Sequence, residues 1–253
     1  MKKFDGKKGF DIKKNFNLTE KFDRPKRFEK SEKSVNKEEN GFRRNDEEAP
    51  ENVLEGRNPI REAIKAGRSI EKLLVAQGEI QGPVKEIVYD ARANGAVIQE
   101  VERTRLDKIS YTGSHQGLIA YVAMKEYCEV EDILSYAKEK GEDPFVLILD
   151  GICDPQNLGA MIRCAECAGV HGVIIPKRRA SGLTPVVAKC SAGAIEYMRI
   201  ARVSNISQTI EKLKKAGVWV YGASMEGKNY SRVNLTGPAA LVIGAERGNF
   251  PTC

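Results

Sequence analysis

Leu149-Asp150-Gly151-Ile152-Cys153-Asp154-Pro155-Gln156-Asn157-Leu158-Gly159-Ala160-Met161-Ile162-Arg163 decides how the chain folds. It completes the unbroken apolar run Phe145-Val146-Leu147-Ile148-Leu149, which suits a strand buried on both faces. A polar turn follows, with Asn157 where a helix N-cap belongs. Leu158, Met161, Ile162, Ala165 and Ala168 then line one helical stripe. Arg163 falls about 140° off that stripe, near the expected top of the helix. A guanidinium there is placed to meet a phosphate or a polarised hydroxyl at the strand's C-terminal end. An ordinary surface arginine fits the same geometry.

Working outward, the pattern repeats. Downstream, Val173-Ile174-Ile175, Val218–Tyr221 and Ala239–Ile243 read as strands, and 185–194 and 205–216 as helices. Strands alternating with helices predict an α/β fold, a mostly parallel sheet with helices on both faces. Ligands bind such sheets at the carboxyl ends of the strands. Upstream, Gly56-Arg57-Asn58-Pro59 leads into a helix ending near Gly67, with strands at 70–76, 97–101 and 117–123 and a helix at 83–94. This predicts a small α/β domain over 52–125 and a second over 144–253. Residues 126–143 connect them, with a short helix around Ile133, Leu134 and Ala137.

Residues 1–50 differ in texture. They hold 15 Lys/Arg and 11 Asp/Glu, few aliphatics and no sustained period. Such a segment cannot bury enough apolar surface to offset its ordering entropy, so a disordered basic tail is expected. Phe4, Phe10, Phe16, Phe22 and Phe28 recur among the charges. That pattern fits stacking on bases, and it equally fits a solvated extension.

The whole chain of 253 residues carries 41 Lys/Arg against 35 Asp/Glu, a net charge of +6. A basic balance favours polyanionic partners, though weakly by itself. Met1-Lys2-Lys3-Phe4-Asp5 opens onto no apolar stretch, and no apolar run is long enough to span a bilayer, so a cytoplasmic location is expected. The six cysteines lack a disulfide-framework spacing. Cys164-Ala-Glu-Cys167 is a lone CxxC with only His171 near it, so a buried structural pair is expected rather than a metal site. No dinucleotide fingerprint, phosphate-binding loop, HExxH or GxSxG occurs, which removes the usual NTPase and hydrolase readings.

The stretch ending at Arg163 resembles the first signature motif of the SpoU (TrmH-type) RNA 2′-O-ribose methyltransferases, knotted α/β enzymes of the SPOUT superfamily. Val170–Lys177, Lys189–Glu196 and Ala240–Glu246 match further motifs in order. Gly56-Arg57-Asn58-Pro59 and His115-Gln116-Gly117 resemble the family's N-terminal substrate-binding domain, which is similar to the L30e fold. The resemblance covers residues 52–248. It is nearest in pattern to the branch that methylates a guanosine ribose in 23S rRNA, with a tRNA-modifying relative as runner-up.

The resemblance implies S-adenosylmethionine as cofactor, RNA as partner and a homodimer. It assigns catalytic roles to Arg163, which helps activate the 2′-hydroxyl, to Asn157, which shapes the site, and to Glu246 beside the cofactor. Gly244, Ile243, Ala245, Ala223 and Ser224 are the implied cofactor-binding residues, within the segments 240–246 and 223–227. Lys177, Arg178, Arg179, His115 and Arg57 are the candidate RNA contacts. For His115 a loop-holding role fits as well, and for 177–179 a solvated turn does. No metal is implied, since the sulfonium brings its own leaving group.

After Glu246 the sequence departs from the family pattern. Family members continue with a glycine-rich turn, a helix and a third motif that threads the knot, whereas here Arg247-Gly-Asn-Phe-Pro-Thr-Cys253 follows. Codons compatible with these residues, read one base on, give Gly-Gly-Ile-Ser-Arg-Leu-Val, which resembles the family's continuation. A frameshift near residue 247 is the expectation, and with it a polypeptide that lacks the knot segment and is inactive; the alternative is a catalytically incompetent, RNA-binding relic.

Overall fold

The computed structural model describes residues 50–224, 227 and 229–244. The basic tail, Met225, Glu226, Ala245, Glu246 and the departing C-terminal residues lie outside the described residues.

The first sheet holds β1 (Val53–Glu55), β2 (Ile70–Ala76), β3 (Val97–Val101) and β4 (Leu118–Val122) in the order β1-β4-β2-β3. β4 runs antiparallel to β1 and β2, whereas β2 and β3 are parallel. Strand alternation splits the side chains between two faces. Leu73, Val75, Leu118 and Ala120 pack with Ile60 and Ala63 of α1 (Arg57–Lys65) and with Val84, Ile87 and Ala91 of α2 (Pro83–Ala93). Leu74, Ala76 and Ile119 meet Leu106 of α3 (Arg103–Ile109) on the other face. β1 and α3 are elements the sequence reading lacked.

The second sheet is wholly parallel. β5 (Phe145–Asp150), β6 (Gly172–Pro176), β7 (Ile200–Val203), β8 (Trp219–Gly222) and β9 (Ala239–Gly244) lie in the order β7-β6-β5-β9-β8. Val146 and Ile148 point to one face, where Val130 and Ile133 of α4 (Val130–Lys140) and Leu213 of α7 (Ile206–Lys215) cover them. Leu147 and Leu149 point to the other, against Leu158, Ile162 and Ala165 of α5 (Pro155–Cys167) and Val187 and Ala188 of α6 (Pro185–Cys190). Burial on both faces is why this strand reads as one apolar run. α4 belongs to this packing, although its residues fall in the segment read as a connection.

Several local expectations are corrected. The N-cap of α5 is Asp154, whose carboxylate accepts from the Gln156 N–H at 2.9 Å. Pro155 occupies the first turn, where its missing N–H costs nothing. Asn157 is therefore inside the helix. The expected helix 185–194 stops at Cys190, because Ala192 and Gly193 adopt positive φ before a 3₁₀ turn over Ala194–Glu196. Cys164 and Cys167 are exposed rather than buried, on the side of α5 away from Leu158 and Ile162. Ala168, expected on the inward stripe, is exposed as well.

Candidate functional site

The C-terminal ends of β5, β9 and β8 lie side by side. Asp150 pairs with Gly244, Leu149 with Ile243 and Gly222 with Val242. The Ala223 N–H continues the ladder to the Val242 carbonyl at 2.9 Å. Among the described residues, a Cβ built on Gly222 or on Gly244 would meet nothing within 4 Å. Ala223 and Ser224 are exposed, and Ile243 is half-buried. Among the described residues, the ends of β8 and β9 carry bare backbone and small side chains, beside the exposed Asp150 of β5. That cradle fits a flat nucleoside such as the adenosyl group of S-adenosylmethionine, because glycine lets a ligand approach main chain.

α5 leaves this edge and returns along the sheet. Its first turns press on α6: a Cβ on Gly159 would come within 2.6 Å of the Cys190 Cβ and 2.8 Å of the Val187 carbonyl. Asn157 is exposed on the first turn. Because the helix starts at Pro155, Arg163 lies on its third turn, about 12 Å along the axis. It is exposed, and it is not at the top of the helix as expected. Asn157 thus lies on the first turn of α5 and Arg163 on the third.

Lys177, Arg178 and Arg179 emerge exposed from the end of β6. The Lys177 N–H is held by the Val203 carbonyl at 2.8 Å, and Arg179 has a φ of 57°. Among the described residues, no group of three or more His, Cys, Asp or Glu is placed to hold a metal ion.

The loop between α3 and β4 is built around a carboxylate. Glu55 is fully buried and accepts from the Ser110 hydroxyl (2.6 Å), the Tyr111 N–H (2.5 Å), and the N–H and hydroxyl of Thr112 (3.1 and 2.5 Å). Lys189 of α6 reaches across, donating to the Thr112 hydroxyl at 3.1 Å and the Ser114 carbonyl at 2.6 Å. Burial lowers its pKa, and the Glu55 charge pulls it back up. His115 is buried, its Nδ1 accepting from the Gly117 N–H at 3.0 Å and its Nε2 facing Asp107 at 2.8 Å. Both ring nitrogens are committed, so the ring holds the loop and its RNA-contact role is withdrawn. His171 is engaged likewise, by the Phe145 N–H at 3.0 Å and Glu142 at 3.0 Å, which removes it from the CxxC. Arg57 is half-buried and faces Glu79 at 3.7 Å.

Arg68, Glu55 and Arg103 escaped the sequence reading. Their partners are distant in the chain, and only a lone Gly-rich turn at 113–117 hints that a loop needs anchoring there.

Residues 144–251 match the SpoU rRNA Methylase family, and residues 53–128 match the family described as RNA 2′-O ribose methyltransferase substrate binding. A relative from Bacillus subtilis (strain 168), YacO, named for the TrmH family of tRNA/rRNA methyltransferases, is 45% identical over 193 residues, 76% of this chain and 77% of the relative. The chain belongs to the TrmH/SpoU family of RNA methyltransferases. A Staphylococcus saprophyticus relative named for the same family is 40% identical over 195 residues, 77% of this chain and 78% of its own length. The crystal structure of the SpoU methyltransferase AviRb from Streptomyces viridochromogenes, in complex with AdoMet, superposes with a TM-score of 0.65 at 22% identity, covering 77% of this chain and 73% of that one. An AdoMet-bound rRNA methyltransferase from Sinorhizobium meliloti gives 0.63 at 23%, covering 79% and 72%. These two likenesses show the α/β fold with its mostly parallel sheet. Among the described residues, no helix is long and apolar enough to cross a membrane.

Proposed function

We propose that this family member methylates the 2′-hydroxyl of a guanosine ribose in 23S rRNA, with S-adenosylmethionine as donor. The observation that carries the reading is the glycine-lined edge formed by the ends of β5, β9 and β8, within the residues that match the methylase family. The names of the AdoMet-bound structural neighbours support the cofactor.

S-adenosylmethionine, when bound, supplies an electrophilic methyl group on a sulfonium. Gly222, Ala223, Ser224, Ile243 and Gly244 hold it, with Ala245 and Glu246 following in the chain. A ribose hydroxyl is a weak nucleophile until its proton is drawn off and its oxygen is aligned. Arg163 supplies a positive charge that orients the hydroxyl and favours loss of its proton to solvent water, and Asn157 shapes the rim. Because Arg163 is exposed on the third turn of α5, a homodimer is part of this reading: α5 of one copy serves the edge of the other. Residues 52–125 grip RNA, 126–143 connect, and Lys177, Arg178 and Arg179 hold phosphates as point charges.

Labelled methyl transfer from S-adenosylmethionine to 23S rRNA and to tRNA, followed by mapping of the modified ribose, tests the reading. In a version whose reading frame is restored after Glu246, one methylated guanosine ribose in 23S rRNA is expected, with Arg163→Ala losing at least about 100-fold in rate. Label confined to tRNA makes the runner-up substrate correct. An unchanged rate in the Arg163 variant overturns the assigned chemistry, and a monomer in light scattering overturns the shared site.

A further inference from the structure

A cavity of about 490 Å³ opens in the first sheet's half of the molecule, lined by Arg57, Asn58, Arg61, Glu79, Arg103 and Gln116. Its walls come from the start of α1, the turn after β2, the start of α3 and the loop before β4. Three arginines and one carboxylate line it. Glu79 pairs with Arg103 through one oxygen and faces Arg57 at 3.7 Å through the other. The charge is therefore unbalanced by two, in a concavity, which is what an anion requires.

Two backbone positions shape the wall beside Glu79. Gly117 has a φ of +79°, and a Cβ there would lie 2.1 Å from the Glu79 carboxylate, so only glycine lets that carboxylate rest against the backbone. Gln116 is held at a φ of 52°, a region that non-glycine residues rarely visit. Its side-chain oxygen accepts from the Arg57 N–H at 3.1 Å, which brings its amide to the cavity wall. Asn58 adds a second neutral amide.

We propose that this cavity takes one unpaired nucleotide of the substrate RNA, its phosphate on Arg61 and Arg103 and its base edge on Asn58 and Gln116. The inference rests on the RNA reading above and deepens it. The volume falls within the roughly 300–1,000 Å³ of small-ligand sites. Guanidinium planes and amides are the groups that stack on and read splayed-out bases in single-stranded loops. A continuous duplex keeps its bases stacked and has no nucleotide to offer. The site therefore selects an unpaired nucleotide, through residues other than those of the cofactor edge.

Fluorescence anisotropy of the full chain, with a labelled RNA hairpin bearing a seven-nucleotide loop and with a fully paired RNA duplex, tests this. The unaltered chain is expected to favour the hairpin. Arg61→Gln with Arg103→Gln should weaken hairpin binding at least tenfold and reduce the salt slope by about 0.7, the value for one single-strand phosphate contact. Duplex binding should change less than twofold. Lys212→Gln with Lys214→Gln, an equal charge change on exposed α7, should leave hairpin binding within twofold, and thermal melts should confirm that both variants fold. Equal losses on hairpin and duplex, or no loss on either, overturn the pocket while leaving RNA binding intact. No binding of either RNA by the unaltered chain overturns the RNA reading itself, and the pocket with it.

Discussion

The Arg68 guanidinium donates to the Glu196 carboxylate at 2.8 Å with both side chains nearly sealed from water, at 8% and 2% exposure, and so ties the first sheet's half of the molecule to the second. Arg68 also donates to the Ala123 carbonyl at 2.7 Å, and Lys125 donates to the Glu196 carbonyl at 2.8 Å. A buried pair is weak evidence of net stability, but breaking one side leaves an uncompensated charge. Arg68→Met is expected to cost about 3–5 kcal/mol in chemical denaturation. Adding Glu196→Gln should return part of that loss, since the stranded charge is then gone. Equal stability of the single and double variants would show that the charge was never buried.

Lys189 carries a second tie, from α6 to the loop that presents Gln116. Lys189→Met removes the donor to the Ser114 carbonyl and the Thr112 hydroxyl while retaining most of the stem. The buried Glu55 cluster should survive, because its four donors come from Ser110, Tyr111 and Thr112. RNA affinity is expected to fall several-fold with S-adenosylmethionine affinity unchanged, read by anisotropy and calorimetry. A parallel loss of cofactor affinity would place Lys189 in the other site.

Tyr127 predicts how the protein fails in alkali. Burial, and then the nearby Glu51 charge, push its hydroxyl up from 10 to about 12, and the hydroxyl sits 3.1 Å from the Glu51 carboxylate. The folded state keeps that proton where the unfolded chain has lost it. The contribution is therefore complete below pH 10 and disappears as the pH climbs through about 12. Lys125 and Lys189 act in the opposite sense. Burial lowers both, so just below 10.5 the unfolded chain holds more protons and stability rises with pH. Tyr127→Phe should flatten the fall above pH 10 in pH-stepped denaturation; an unaltered alkaline limb would contradict the assignment.

Legibility in the sequence followed the range of the forces involved. β5 was readable because burial on both faces writes five apolar residues in a row. The parallel second sheet followed from it. α5 starts at Asp154-Pro155 rather than at Asn157, because a cap residue followed by proline at the first helical position is the stronger local signal. α3 has one buried residue, Leu106, so it shows no periodicity. β1 is only three residues long, and β7 carries Arg202 among four residues, so neither makes a pattern. Glu55 looks like a surface acid in sequence, and its burial depends on donors 55 to 57 residues away. Gly244 and the segment near Ala223 were found through motif resemblance, and their place at adjacent strand ends follows from the β8-β9-β5 pairing. The arginine cavity was invisible, since Arg61 and Arg103 meet only after four separate segments fold together.

Packing density offers the sharpest check on how α4 is seated. A Cβ on Gly172 would come within 2.5 Å of the Ile133 Cδ1 and Cγ1 and 2.7 Å of its Cγ2, so one methyl more than the interface holds. Ile133 is fully buried in the same cluster as Ile148 and Leu213. Gly172→Ala is therefore expected to cost about 1–3 kcal/mol by overpacking. Ile133→Ala alone should cost about 2–5 kcal/mol through the cavity it leaves. In the double variant the new methyl enters that cavity, so the combined loss should fall well short of the sum. Additive losses in denaturant titrations would mean that α4 can slide away from β6, and that the segment connecting the two sheets is not clamped to the second one.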